Sequence, residues 1–171
     1  MADMLVKLYA LPELAPVLAE QKTRGVEIRQ AHPDEKHKIA AWVREHIKSD
    51  WDVGCEVALE QRPPTCYIAF EKDSAHVPTD NPYDSPPETL LGFAVYDVVA
   101  KGMFGPIGVR EDRQDAGIGT ALLLTCFHRM VSDGYAYAVI GWAGPVEWYE
   151  RTVGATIIKG SEPGVFRGSL R

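Results

Sequence analysis

The sequence has little cysteine, no excess of positive charge and no long hydrophobic run, and each absence closes off a class of function. Its three cysteines among 171 residues, Cys55, Cys66 and Cys126, are odd in number, and none forms a Cys-x-x-Cys pair. A secreted disulfide scaffold wants an even set in a shorter chain, so free thiols and a reducing, cytoplasmic setting are expected. Eighteen basic residues face 24 acidic ones, for a net charge of −6. General nucleic-acid binders draw their affinity from phosphate neutralisation and carry a basic excess, so no nucleic-acid partner is expected. The same balance mildly favours a cationic or neutral substrate through long-range attraction. No segment approaches a membrane span, and the first residues lack a basic stretch leading into an apolar one, so no membrane partner is expected either. His32 and His37 sit in neither a His-Glu-x-x-His motif nor beside a cysteine pair, and no metal site is predicted.

What is present is ordinary globular material, 46% hydrophobic and 25% charged. The length predicts one domain over residues 1–171, with 1–24 as an N-terminal arm. A stretch at 72–88, carrying Pro78, Pro82, Pro86 and Pro87, predicts a mobile loop between two strands. Apolar alternation and β-branched content predict strands at 5–9, 26–29, 66–70, 90–99, 106–110, 135–142, 156–159 and 165–168. Helical spacing predicts helices at 12–22, 34–46, 118–132 and 144–151. Residues 48–64 stay unassigned, because Gly54 and Pro63-Pro64 interrupt them. This order makes a mixed α/β sheet.

The chemistry is concentrated at residues 105–124, where a strand runs into a glycine turn and straight on into the longest helix. Such a turn aims successive backbone N–H groups at one point, and the helix N-terminus adds partial positive charge: an anion site, best suited to phosphate or pyrophosphate. A P-loop is excluded because no Gly-Lys-Ser/Thr follows. The dinucleotide fingerprint fails because its third glycine position is Leu122, and a kinase-type glycine loop fails for the same missing residue.

The run Gln114-Asp115-Ala116-Gly117-Ile118-Gly119, after the strand end Ile107-Gly108-Val109, resembles the Q/R-x-x-G-x-G/A signature of the GCN5-related N-acetyltransferases. A second run, from Glu147 through Trp148, Tyr149 and Glu150 to Gly154-Ala155, resembles that family's F-Y-E-K-L-G-F segment at the matching spacing. The resemblance implies a mostly antiparallel central sheet flanked by helices, with a splayed parallel strand pair forming an acetyl-coenzyme A cleft. By position it places Gln114, Asp115, Ala116, Gly117, Ile118, Gly119 and Thr120 around the pyrophosphate. It sets the backbones of Ile107, Gly108 and Val109 along the pantetheine arm, with the Ile107 N–H toward the thioester oxygen. It puts Tyr149 where family members protonate the departing thiolate, and it implies direct transfer to a primary amine of a small molecule or peptide.

The chemistry of the residues agrees with these roles. An oriented amide donor stabilises a developing oxyanion, and a phenol with an ordinary pKa near ~10 keeps its proton at neutral pH. The sequence departs from the family pattern in two places. No asparagine follows the strand at 135–142, where the run is Ile140-Gly141-Trp142-Ala143-Gly144-Pro145, and one extra residue separates Tyr149 from Gly154. Plainer readings stand beside the sharp ones. The turn could be only a tight connection, Tyr149 only a packed ring, and Cys126 an inert core thiol. Arg110 and Arg113 flank the turn as phosphate contacts or as solvated side chains. Glu56, Glu71 and Asp97 are the carboxylates to weigh as a general base. A non-catalytic acyl-coenzyme A sensor is the alternative to an enzyme. A homodimer is expected from the apolar C-terminal strand material and the N-terminal arm.

Overall fold

The computed structural model describes residues 1–48, 50–81 and 84–165. Among the described residues seven strands form one sheet: β1 Met4–Lys7, β2 Val26–Gln30, β3 Cys66–Lys72, β4 Glu88–Tyr96, β5 Met103–Val109, β6 Tyr137–Ile140 and β7 Thr156–Ile157. Their spatial order is β2-β3-β4-β5-β6-β1-β7, and every neighbouring pair is antiparallel except β5 and β6. The described residues also form five α-helices: α1 Leu14–Thr23, α2 Lys36–His46, α3 Asp52–Glu60, α4 Ile118–Ser132 and α5 Val146–Val153.

The central strands read as nearly continuous apolar runs because both faces of the sheet are covered. In β3 the period of two sends Cys66, Ile68 and Phe70 to a core under α2 and α3, while Tyr67 and Ala69 go to a larger core under α1 and α4. The larger core takes Ile118, Leu122, Leu123, Cys126, Phe127 and Met130 from α4, spaced to form one wide helical face. Cys126 is fully buried there, and burial pushes its thiol well up, as befits a packing residue.

The structure adjusts several sequence expectations. The stretch 1–24, expected as an arm, supplies β1 and α1. Met4 pairs with Ile140 on one side and Ile157 on the other, so β1 lies inside the sheet, and α1 packs against α4. Residues 52–60 are helical despite Gly54, and the glycine has a steric use: a Cβ at that position would lie 3.3 Å from Pro106 Cδ, so its absence eases the close approach of α3 to β5. The strand expected at 90–99 ends at Tyr96, where Asp97 turns left-handed with φ of 59°. The carboxylate of Asp97 then accepts from the Gly102 N–H at 2.7 Å and the Tyr135 hydroxyl at 2.8 Å, closing the turn into β5. Val165 lies in a turn, and the rest of the strand expected at 165–168 falls outside the described residues, as do 82 and 83 in the proline-rich connection.

Five of the described tyrosines hold their protons above the ordinary range, exposed Tyr9 through its hydrogen bond with Tyr137 and four others chiefly through burial. Burial is the main cause for Tyr67, Tyr135 and Tyr149, each pushed up to about 12, and for Tyr96, whose hydroxyl also donates to Asp133 at 2.6 Å. The unfolded chain releases these protons near ~10, so between about pH 10 and 12 the folded state binds more protons, and stability falls as pH rises. The expected thermal profile is flat up to about pH 9.5 and declines progressively above it. Melting curves across that window, with ultraviolet difference spectra for phenolate, check the point; a Tm unchanged through it would contradict the burial of these rings.

Candidate functional site

Strands β5 and β6 run in parallel only through Met103 with Val139 and Phe104 with Ile140; among the described residues no further pair joins them. From Gly105 onward the strands part. The open side of β5 follows from its register. The Arg110 N–H donates to Leu91 O at 2.9 Å, and Gly108 lies opposite Phe93. In an antiparallel ladder bonded and non-bonded pairs alternate, so Gly108 exchanges bonds with β4, while the backbone groups of Ile107 and Val109 face away from it, into the gap. The Gln114 Nε2 reaches the Val109 carbonyl from that side at 3.3 Å. The side chains of Ile107 and Val109 pack half-buried on the larger core.

Beyond Val109 a 3-10 turn at Glu111–Arg113 leads to the glycine turn and α4. Asp115 and Gly117 both adopt left-handed backbone, with φ of 61° and 81°. Ile118 anchors the turn by burying its side chain, 1% exposed, while Gln114, Asp115 and Gly117 are exposed and Gly119 and Thr120 half-buried. The first bond of the helix runs from the Ala121 N–H to Gly117 O at 3.1 Å. The N–H groups of Asp115 and of residues 117–120 have no acceptor among the described residues, while the Ala116 N–H closes the turn over Gln114 and left-handed Asp115. Unpaired amides of this kind at the positive end of a fifteen-residue helix form a cradle for an anion, and a phosphate-bearing ligand fits it.

The far side of the cleft is α5, which Gly144-Pro145 introduces and Gly154, left-handed at φ of 62°, ends. The extra residue after Tyr149 is thereby absorbed within a helix that runs to Val153. Trp148 lies across from the glycine turn: its ring would stand 3.7 Å from a Cβ placed on Gly119. The neighbouring Tyr149 ring tilts against it at a centroid distance of 4.8 Å. Tyr149 is 5% exposed, within the same apolar cluster as Ile107 and Val109, and its hydroxyl bonds to no described residue. Where the sequence lacks an asparagine, the chain end of β6 is tied down by the N-terminus. The Trp142 N–H donates to Asp3 Oδ1 at 2.9 Å, and the Ala143 N–H to Ala2 O at 3.0 Å.

The charged candidates are occupied. Arg110 pairs with Asp112 at 2.5 Å, and Arg113 with Glu71 at 2.8 Å, so neither guanidinium stands unpaired beside the turn. Asp97 serves the β4–β5 turn. Glu56 lies toward Lys36 at the start of α2, whose pKa is raised chiefly by its hydrogen bond to Glu60 and further by the Glu56 charge. The sequence reading also missed Gln21 of α1 and Arg24, the residue that caps that helix. Gln21 Nε2 and Arg24 Nη1 both donate to the Ala116 carbonyl, at 3.0 and 2.7 Å. No local signal marks a contact that spans over ninety residues.

No protein-family model matches this sequence, and no curated protein does. Solved structures share its architecture. A GCN5-related glucosamine N-acetyltransferase region of a fungal multi-domain GH3 β-N-acetylglucosaminidase aligns over 92% of this chain with a TM-score of 0.69 and 11% identity. A Drosophila protein aligns over 92% with a TM-score of 0.58, also at 11% identity. This chain spans 19% of the first protein's length and 47% of the second's.

Proposed function

We propose, from the GCN5-related N-acetyltransferase fold that this chain adopts, that it is an acetyl-coenzyme A-dependent N-acetyltransferase acting on a primary amine by direct transfer. The observation that carries the reading is the parting of β5 from β6 beside the unpaired amides of residue 115 and residues 117–120. A parted strand pair leaves a polar backbone edge inside a folded sheet, and such an edge is costly unless something else bonds to it.

Acetyl-coenzyme A, when bound, supplies an acetyl group activated as a thioester. The amides of Asp115, Gly117, Ile118, Gly119 and Thr120, with Gln114 beside them and Ala116 shaping the turn between, hold its pyrophosphate at the α4 N-terminus. The outward backbone groups of Ile107 and Val109, flanking Gly108, bond the pantetheine arm as a missing strand would. The Ile107 N–H is the donor for the acyl oxygen, and Tyr149 holds the proton for the leaving sulfur. The phenol suits that task because burial pushes its pKa up to about 12, so it is fully protonated at neutral pH. The net charge of −6 favours the approach of a protonated amine.

A second reading, an acyl-coenzyme A sensor without turnover, is favoured by one observation: Glu71 and Asp97 are engaged elsewhere, and Glu56 lies toward α2. Incubation with labelled acetyl-coenzyme A and a panel of amines separates the two. Label transfer to an amine supports the enzyme. Tight coenzyme binding with no transfer across polyamines, aminoglycosides, amino acids and peptide N-termini supports the sensor. Absence of any coenzyme binding overturns both.

A further inference from the structure

We propose that Gln21 of α1 and Arg24, which caps that helix, are positioning residues that lock the Ala116–Gly117 peptide in the orientation an anion at the turn requires. The proposal rests on the coenzyme reading above and adds an element that lies nearly a hundred residues upstream of the glycine turn.

The geometry is specific. The carbonyl of Ala116 receives two side-chain donors, Gln21 Nε2 at 3.0 Å and Arg24 Nη1 at 2.7 Å. A trans peptide is planar, with its oxygen and hydrogen on opposite sides. Drawing the Ala116 oxygen toward α1 therefore turns the Gly117 N–H away from α1, to the exposed side of the turn. This peptide is the one most prone to invert, because rotation about its two ends demands a change of φ at residue 117, and glycine accepts either sign. Inverted, it would set the negative end of a carbonyl dipole at the α4 N-terminus, where a phosphate should sit. Inversion would also break both donor contacts at once, and that is the lock.

The surroundings fit a device of this kind. Gln21 is 2% exposed, and its Oε1 has no partner among the described residues. A buried amide left half-paired is unfavourable, and an apolar side chain at 21 would avoid it. What the amide contributes is the Nε2 bond to Ala116. Its Nε2 also lies 2.9 Å from where a Cβ on Gly117 would be, so the amide sits directly against the turn. Arg24 is braced by Glu20 at 2.5 Å, one helical turn back, and the Arg24 N–H caps α1 on Gln21 O and Lys22 O. Both donors thus come from a helix end fixed by its own packing on α4.

The test uses the full-length chain, with coenzyme A measured by calorimetry and pantetheine by ligand-observed NMR. Pantetheine keeps the thiol and the arm and lacks the pyrophosphate. Gln21→Met keeps length and burial; Arg24→Met alters a half-exposed side chain and should fold without difficulty. Either donor can still hold the carbonyl alone, so each single change is expected to weaken coenzyme A about three- to fivefold, and the pair at least about fiftyfold, more than the product of the singles. Pantetheine binding is expected to stay at the wild-type value in all three, and Arg24→Lys to restore most of the loss. Coenzyme A binding in the double variant within about twofold of wild type would overturn the lock while leaving the coenzyme reading intact. A parallel loss of coenzyme A and pantetheine would mark a general packing role and overturn it likewise. Wild type that binds no coenzyme A would remove the reading and the lock together.

Discussion

Tyr149→Phe is expected to lower kcat about a hundredfold or more and to leave coenzyme affinity and Tm nearly unchanged. The ring is a core element, 5% exposed within the cluster that holds Ile107, Val109 and Val153, and phenylalanine preserves that packing. The hydroxyl bonds to no described residue, so removing it orphans no buried partner, which is the usual route by which such a change destabilises. What is lost is the proton. Burial pushes the phenol up to about 12, so a fall in kcat at high pH that titrates below about pH 11 should belong to another group and persist in the variant. The measurement is kcat and KM with the acceptor found in the amine screen, backed by single-turnover rates to confirm that chemistry is rate-limiting. A change confined to KM would make Tyr149 a binding residue. An unchanged single-turnover rate would exclude it as the proton donor.

The parts of this protein legible from sequence are those in which a local pattern and the tertiary environment ask for the same residues. The helix expected at 118–132 ends at those same residues, because its apolar face is regular and left-handed Gly117 and Gly134 bracket it. The glycine turn was visible for the same reason: a left-handed residue and a helix start leave a compositional mark. The long-range features left none. Residues 4–7 look like any short strand, and nothing in Met-Leu-Val-Lys says that they pair with β6 on one side and β7 on the other. The helix at 52–60 was hidden because Gly54 lowers helix propensity by about 1 kcal/mol, and the reason for it, contact with Pro106, lies in another element. Gln21 lies near the end of the helix expected at 12–22 and Arg24 just beyond it, and nothing local sets either apart from other polar residues. Only the packing of α1 on α4 turns them toward Ala116. The same limit applies to the carboxylates: sequence can nominate Glu71 as a base, but its pairing with Arg113 is a property of the assembled sheet.

Gly117→Val is expected to abolish coenzyme binding and, unlike a change that merely blocks a ligand, to cost stability as well. Gly117 sits at φ of 81°, and its Cβ direction meets Gln21 Nε2 at 2.9 Å. A β-branched residue held left-handed costs about 1–3 kcal/mol in backbone strain alone, and displacing Gln21 from Ala116 adds to it. A total of about 2–4 kcal/mol in a domain of this size lowers Tm by roughly 5–15 °C. If the strained turn escapes to negative φ, the Gly117 and Ile118 amides no longer converge, so coenzyme A affinity should fall at least about a hundredfold even well below the new Tm. Gly119→Ala makes the stability comparison clean. Its methyl would sit 3.7 Å from Trp148 and 3.8 Å from Val109, ordinary contact distances, and alanine is the better helix former by about 1 kcal/mol. Its Tm should match or exceed that of wild type, while that of Gly117→Val falls. Thermal melts of the three proteins and calorimetry with coenzyme A at low temperature, with circular dichroism to verify the fold, decide the matter. A Gly117→Val protein that binds coenzyme A as wild type does would show that the turn at 114–119 is only a connection between β5 and α4.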